Sequence, residues 1–171
     1  MNNSIFVAVT ETWLKDNIFD SEVSHNFQDY TILRSDRSGR SGGGVALYLR
    51  DDLSGDVIAK FDNDACEALV VRIQQLDHIV VVVYRPPDTR HAEFSAMLKV
   101  LDTALCSLPT PTPTISVMGD FNLPVSAVKW LRNDEGLIMP LIANHRENET
   151  SDGKQDRLQA QHLVEFVNKH N

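Results

Sequence analysis

Acidic and amide side chains follow two apolar runs of the sequence, at positions where strands are expected to end. Glu11 follows the run 5–9, and Asp120 and Asn122 come soon after the run 115–118. Residues i and i+2 of an extended segment point the same way, so we expect Asp120 and Asn122 to share a face. Such a carboxylate can hold or activate a water molecule, and the amide can donate a hydrogen bond to a phosphate oxygen.

Each stretch also has an ordinary structural interpretation. Asp and Asn often make a turn after a strand, and the ordinary interpretation of Glu11 is a surface acid that follows one. However, the sites of α/β proteins gather at one end of the strands, where Glu11 and Asp120 could converge. Two hard oxygen ligands with an amide nearby suit Mg2+, or Mn2+, better than zinc. The pattern therefore favours a Mg2+ site.

The composition is that of an ordinary globular chain with an acidic balance. The 171 residues are 42% hydrophobic and 23% charged, with a formal net charge of −8. The length predicts one domain with a real core. The charge argues against nucleic-acid binding by bulk positive charge, but a nuclease stays open because a local basic patch and a metal can do that work. The one basic cluster is Arg34, Arg37 and Arg40, either a solvated loop or a phosphate-contacting one.

Cysteine usage and hydropathy indicate an intracellular protein. Cys66 and Cys106 lie in apolar settings without metal-ligand spacing, so we expect both to be reduced and buried. No apolar run approaches the roughly 20 residues that span a bilayer, and no signal peptide is recognisable. We expect Trp13 and Trp130 to lie in the core.

Short apolar runs predict the strands. They cover 5–9, 30–33, 45–49, 57–61, 68–73, 79–84 and 115–118. We expect Gly119 to end the last of them, and 79–84 to be a central strand because it is apolar on both faces. The glycine-rich segment 34–44 is either a linker between domains or, more simply, a connection within one sheet.

Helical spacing predicts two helices. The first begins at Asp88 or Thr89 and ends near Cys106. Its apolar face consists of Phe94, Met97, Leu98, Leu101 and Leu105. The second covers 155–169, with Leu163, Phe166 and Val167 facing inward. Two further runs have no clear period: 125–131 and 137–142.

Four motifs carry a resemblance to a known family. In order they read TETWL (10–14), RSGRSGGGVALYL (37–49), VVVVYRPP (80–87) and VMGDFNLP (117–124). Together they resemble the endonuclease/exonuclease/phosphatase superfamily, and most closely the apurinic-type endonuclease domain of non-LTR (LINE-like) retrotransposons. The likeness covers roughly residues 5 to 170.

The resemblance implies a fold and an activity. The fold is a four-layer α/β sandwich, with two packed, mostly antiparallel β-sheets flanked by helices. The activity is Mg2+-dependent cleavage of phosphodiester bonds in DNA. The implied setting is a parent polyprotein with a reverse transcriptase domain, acting in the nucleus.

The resemblance also implies residue roles. Glu11 matches the metal-binding glutamate, and Tyr84 matches a tyrosine that contacts the scissile phosphate or the nucleophile. Asp120 matches the aspartate that orients or deprotonates the attacking water, and Asn122 matches the asparagine that holds a phosphate oxygen. The substrate-binding candidates are Arg34, Arg37, Arg40 and Arg85.

Two family features are not matched. The asparagine of the family's first strand is not carried over to Asn2 or Asn3. No histidine completes the family's Ser/Thr-Asp-His motif, because the Asp-His pair of this sequence, Asp77-His78, follows Leu76, and Ser151-Asp152 is better read as a helix cap. We therefore expect one domain, incomplete at both ends, with impaired activity. The alternatives are a non-enzymatic remnant and a superfamily phosphoesterase acting on inositol phosphates or lipids.

Overall fold

The computed structural model describes residues 4–25, 27–107, 113–123, 128–132, 138–142 and 160–166. The chain forms two compact units. The first contains Met1–Pro86 and Pro109–Phe121, and the second contains Pro87–Leu108 and Asn122–Asn171. The single-domain expectation stays a prediction.

The first unit begins with a three-stranded antiparallel sheet. Its strands are β1 (Phe6–Thr10), β2 (Tyr30–Ser35) and β3 (Val45–Arg50), in the order β1-β3-β2. A single turn of helix, α1 (Asp20–Val23), lies between β1 and β2 in the chain. Because β2 and β3 pair directly, the glycine-rich segment connects two strands of one sheet, and the linker alternative is wrong.

A second, four-stranded sheet completes this unit. Its strands are β4 (Gly55–Asp62), β5 (Glu67–Ile73), β6 (His78–Tyr84) and β7 (Thr114–Asp120), in that spatial order. The first three strands are antiparallel, and β7 runs parallel to β6. All seven predicted strands are present, with each end within two residues of its prediction. The central position of β6 is confirmed.

The two sheets pack through side chains on alternate positions of their strands. The buried members of this core are Val45, Leu47, Leu49, Leu69, Val71, Ile73, Val80, Val82 and Tyr84. Burying each large apolar side chain contributes about 1.5–3 kcal/mol. The opposite face of β3 is also covered, since Leu14 and Val23 pack against the cluster that contains Ala46 and Tyr48. The predicted α/β class, built on two packed and mostly antiparallel sheets, is confirmed.

Strand β7 does not end at Gly119, as the sequence suggested, but continues to Asp120. Gly119 has a φ of 137°, and a Cβ atom there would collide with the carbonyl oxygen of Val83 on β6. The glycine is needed because the two strand backbones approach closely, and it keeps Asp120 in the sheet.

The second unit contains the long helix α2 (His91–Cys106). Its buried side chains are the five predicted ones, from Phe94 to Leu105. The helix starts later than expected, because the carboxylate of Glu93 accepts a hydrogen bond from the Arg90 backbone N–H at 3.3 Å. Neither Asp88 nor Thr89 is the cap.

Cys106 is exposed at the last position of α2, so its predicted burial is wrong.

The remaining described residues of the second unit form a hairpin and a short helix. Strands β8 (Val128–Arg132) and β9 (Ile138–Ile142) pair antiparallel, which resolves the two ambiguous runs. Residues 160–166 form helix α3, in which Leu163 and Phe166 are buried. Val167, Ser151-Asp152, the rest of the predicted helix and the Trp130 side chain lie outside what the structure describes. Among the described residues, no helix has both the length and the apolar composition needed to cross a bilayer.

Candidate active site at the ends of three strands

Glu11 directly follows β1 on a backbone held in an unusual conformation. Glu11 and Trp13 have φ angles of 52° and 56°, in the left-handed region that residues with a side chain rarely occupy. Such conformations cost about 1–3 kcal/mol each and persist where surrounding contacts hold them. Here the backbone N–H groups of Thr12 and Trp13 donate to the carbonyls of Gly44 and Gly43, at 3.2 and 2.8 Å. The glycine run therefore fixes the end of β1.

The carboxylate of Glu11 is exposed and accepts two side-chain hydrogen bonds. One comes from the Tyr84 hydroxyl at the end of β6, and the other from Trp13 Nε1 at 3.1 Å. These bonds, the Tyr84 bond foremost, and the positive charge of Arg37 hold the pKa of Glu11 below its ordinary value. Burial, together with the bond to Glu11, raises the pKa of Tyr84 to about 12. At neutral pH the site thus presents an ionised carboxylate bonded to a protonated phenol.

Asp120 lies beside Tyr84. The two residues are register partners in the parallel pair of β6 and β7, so their side chains leave the same face of the sheet. The backbone N–H of Arg85 donates to the Asp120 carbonyl at 2.8 Å, and the Arg85 guanidinium donates to the Phe121 carbonyl at 3.2 Å. The structure therefore brings Glu11, Tyr84 and Asp120 together. Arg85 is 2% exposed, and its substrate-binding role stays a prediction.

Asn122 does not continue the alternation expected from the sequence. Strand β7 ends at Asp120, and Asn122 has a left-handed φ of 45°. The expectation that the two side chains share a face of one extended segment is wrong, because that segment has ended. The phosphate-binding role of Asn122 stays a prediction.

Glu67 is a component of the site that the sequence analysis missed. It pairs in register with Tyr84 from the neighbouring strand β5, and it is 1% exposed. Its two carboxylate oxygens accept hydrogen bonds from Arg37 Nε and from the backbone N–H of Gly44. The guanidinium carbon of Arg37 lies 5.6 Å from the centre of the Tyr84 ring, within cation–π range. The ion pair thus lies directly against Tyr84.

A signal for this ion pair exists in the sequence. Glu67 is the lone acid at the start of the apolar run EALVVRI, and a charge at a buried strand position needs a partner. Arg37 could not be identified as that partner, because it lies 30 residues earlier in the chain.

The glycine run provides the space for these contacts. Gly43 has a φ of 72°, and a Cβ atom there would overlap the guanidinium of Arg37. Gly44 has a φ of 86°, and a Cβ atom there would overlap the hydroxyl of Thr12. The close approach suggested by three consecutive glycines therefore occurs at these two positions.

Arg34 of β2 and Arg40 of the following loop also pair with carboxylates of their own chain. Arg34 Nε lies 2.9 Å from Asp20, and the Arg40 guanidinium lies 3.1 Å from Asp62 and 2.7 Å from Asp64. The interpretation as a solvated loop is wrong for Arg34, which lies in β2, and for Arg37, whose side chain is largely covered, whereas Arg40 is exposed. The prediction that Arg34, Arg37 and Arg40 contact substrate stays a prediction.

Trp13 is not a core residue. Its side chain is 63% exposed, and its indole N–H is bonded to the exposed Glu11 carboxylate. The alternation of β1 cannot carry the ring inward, because the strand ends at Thr10 and the backbone then turns left-handed.

Glu11 has the properties of a Mg2+ ligand. Its carboxylate is exposed, ionised at neutral pH and held in place by two hydrogen bonds. Among the described residues, no three His, Cys, Asp or Glu side chains are grouped so as to hold a metal. Mg2+ is commonly bound by one or two carboxylates, water and the phosphates of a substrate. The residues present fit that kind of centre.

Comparisons with known proteins agree with this architecture. The family model described as "Endonuclease/Exonuclease/phosphatase family" matches residues 3–129. No curated protein sequence matches the chain at a significant level.

Two solved structures are similar in fold. An AP endonuclease from Archaeoglobus fulgidus aligns with a TM-score of 0.53 and 15% identity, over 95% of this chain and 61% of its own. ANGEL2, described as a 2′,3′-cyclic phosphatase, aligns with a TM-score of 0.50 and 16% identity, over 72% of this chain and 41% of its own. The chain thus spans about half the length of these structures, and identities this low show the fold alone.

Proposed function

Because the chain belongs to the endonuclease/exonuclease/phosphatase family, we propose that it forms part of a Mg2+-dependent phosphodiester hydrolase that nicks DNA. The observation that carries the proposal is the hydrogen bond from Tyr84 to the exposed Glu11 carboxylate, with Asp120 in register beside Tyr84. An ionised carboxylate, a protonated phenol and a second exposed carboxylate thus meet at one end of the strands. These are the groups that water-mediated phosphodiester cleavage needs.

The residues have separate proposed roles. Glu11 would hold Mg2+, which supplies positive charge to the phosphate and the leaving oxygen. Tyr84, whose pKa of about 12 keeps its proton in place, donates its single hydroxyl hydrogen to Glu11 in the free chain and would turn it to the substrate phosphate or the nucleophile when substrate binds. Asp120 orients the attacking water and accepts its proton. Asn122 keeps the role of phosphate-oxygen donor that the motif suggests.

The narrower proposal is an endonuclease of the non-LTR retrotransposon type. The four sequence motifs support it. In this proposal the substrate is DNA, and the parent protein also contains a reverse transcriptase domain and acts in the nucleus. The sequence has no Ser/Thr-Asp-His motif to stabilise charge in the transition state. Its Asp-His pair, Asp77-His78, follows Leu76 and lies at the opposite end of β6 from Tyr84, so we propose a rate well below that of family members with the motif.

The test is nicking of supercoiled plasmid by the chain with Mg2+, with Mn2+ and with EDTA. We expect metal-dependent nicking that falls at least about 100-fold in Glu11→Ala and in Asp120→Ala. Asp52→Ala is the matched control. Asp52 is an exposed acid in the turn after β3, at the opposite end of that strand from the glycine run.

The outcomes separate the candidate functions. Nicking that requires metal, Glu11 and Asp120 supports the proposal. A folded chain without any nicking overturns it in favour of a non-enzymatic remnant. Release of phosphate from a soluble inositol phosphate, without nicking, overturns it in favour of another phosphoesterase of the superfamily.

A further inference from the structure

The most exposed large side chain next to the proposed metal ligand is an indole. Trp13 is 63% exposed two residues after Glu11, on a backbone with a φ of 56°. A tryptophan buries a large apolar area when it lies in a core, and a left-handed backbone is strained for a residue with a side chain. Both features disfavour this arrangement for a purely structural side chain.

The ring is nevertheless held firmly. Its Nε1–H donates to Glu11 Oε2 at 3.1 Å, and the Trp13 backbone N–H donates to the Gly43 carbonyl at 2.8 Å. The ring also lies against Gly42, where a Cβ atom would be 3.6 Å from Trp13 Cζ2. One edge and one side of the indole are therefore fixed, while most of its surface faces solvent.

A fixed and exposed aromatic face is suited to stacking. A flat nucleobase stacks favourably on such a face, and the contact tolerates any base because every base has a π-face. Positioning Glu11 alone would need only an N–H donor. A donor with a shorter or more polar side chain would serve without exposing so much apolar surface.

A recess lies between the two loop segments that adjoin this ring. Residues 15–17, which follow the TETWL motif, and residues 37–41, which precede Gly42, enclose about 540 Å3. That volume is within the range of about 300–1,000 Å3 found for small organic ligands. Within the described parts of the chain, Lys15 of this lining forms no ion pair, so its ammonium is available to a phosphate.

We propose that Trp13 is the base-stacking residue of a nucleotide subsite beside Glu11. An unpaired nucleobase lies on the indole, and the backbone phosphate attached to it meets Lys15. The inference rests on the proposed function, and it specifies the substrate as single-stranded DNA or a duplex whose base is splayed out near the cleaved bond.

The test measures binding without cleavage. In the full chain, Trp130→Phe leaves Trp13 as the only tryptophan, and its fluorescence is followed in EDTA during titration with a single-stranded oligodeoxynucleotide. We expect strong quenching and saturation. A strand of the same length built from abasic units should bind more weakly and quench little. If Trp130→Phe does not fold, the difference between the unmodified chain and Trp13→Phe isolates the same signal.

Variants separate stacking from the positioning of Glu11. Trp13→Ala should weaken oligonucleotide binding, measured by anisotropy of a labelled strand, by about tenfold or more. Trp13→Phe should restore most of that binding, because it keeps a ring, although it lacks the N–H that Glu11 accepts. Phe19→Ala is the matched control: Phe19 is 72% exposed but has no contact with Glu11 among the described contacts, and its loss should change nothing.

Two results would overturn the subsite. One is equal binding and quenching by base-bearing and abasic strands, and the other is unchanged binding by Trp13→Ala. These measurements need no metal and no turnover, so their outcome does not depend on whether the chain nicks plasmid DNA. A chain that nicks DNA with an unquenched Trp13 would keep the proposed function and lose this inference.

Discussion

Single hydrogen bonds set the protonation states at the candidate site. The Tyr84 hydroxyl donates to Glu11, and this bond is the largest cause of the lowered pKa of the carboxylate. The same bond helps to raise the pKa of Tyr84. Each residue therefore stabilises the form of the other that the proposed Mg2+ binding and the proposed phosphate contact require.

Tyr84→Phe should alter the acid side of the pH profile. Without the hydroxyl the pKa of Glu11 rises, so less of the carboxylate is ionised at a given acidic pH. The acid limb of Mg2+-dependent nicking should move to higher pH, and the neutral-pH rate should fall about 100-fold. Tyr30→Phe is the matched control, since that hydroxyl donates to the Ser4 carbonyl at 2.7 Å. An unmoved acid limb in Tyr84→Phe would contradict the proposed coupling.

Glycine positions give a second prediction at the residue scale. Gly39 and Gly43 have similar φ angles of 68° and 72°, so alanine introduces similar backbone strain at both. A Cβ atom at Gly43 would also overlap the Arg37 guanidinium, whereas nothing lies within 4 Å of one at Gly39. Gly43→Ala should therefore lower the urea midpoint clearly more than Gly39→Ala. Equal losses would show that the arginine is not confined as the structure indicates.

At the scale of elements, a buried ion pair joins the glycine run to the second sheet. Glu67 of β5 accepts from Arg37 and from the Gly44 backbone, and the same run holds the end of β1 through two backbone hydrogen bonds. The strand ends that carry Glu11 and Tyr84 are thus connected by the loop between β2 and β3. The motif RSGRSGGG works in this way as an internal support.

The Arg37–Glu67 pair should be strongly coupled. Removing one partner leaves a buried charge uncompensated, so Arg37→Met or Glu67→Gln should each cost about 3 kcal/mol of unfolding free energy. The double variant should cost less than the two single costs added, as measured by urea unfolding. The exposed Arg50–Asp52 pair is the control, and the costs of its two single variants should simply add in the double variant. Additive losses for Arg37 and Glu67 would refute the coupling.

At the scale of the whole molecule, the long-range strand pairing encloses one thiol and leaves the other outside. Cys66 is fully buried next to Glu67, and burial raises the pKa of its thiol to about 12. Cys106 is exposed at the end of α2. The reactive thiolate form of Cys66 is therefore scarce until the first unit opens.

Thiol labelling should report this difference. At pH 8 a chromogenic disulfide reagent should modify one thiol rapidly, and the second only as urea unfolds the protein. Cys106→Ser should abolish the rapid phase and leave the slow one unchanged. Rapid modification of two thiols in the absence of urea would mean that the first unit opens far more readily than its core indicates.

Patterns between residues close in the chain determined the elements and the family. The seven strands and the five inward residues of α2 lie where periodicity predicts them, because burial on one face imposes a period on neighbouring residues. The four motifs likewise predicted the family and placed Glu11, Tyr84 and Asp120 at strand ends.

Only the tertiary structure decided what the polar side chains contact. Arg37 finds Glu67 across 30 residues, Trp13 lies outside the core beside Glu11, and Gly119 stays within its strand. None of these follows from periodicity, because each depends on which strands become neighbours and on how closely their backbones approach. The energy of a buried charge or a crowded backbone is set by those distant partners, and the local sequence does not contain them.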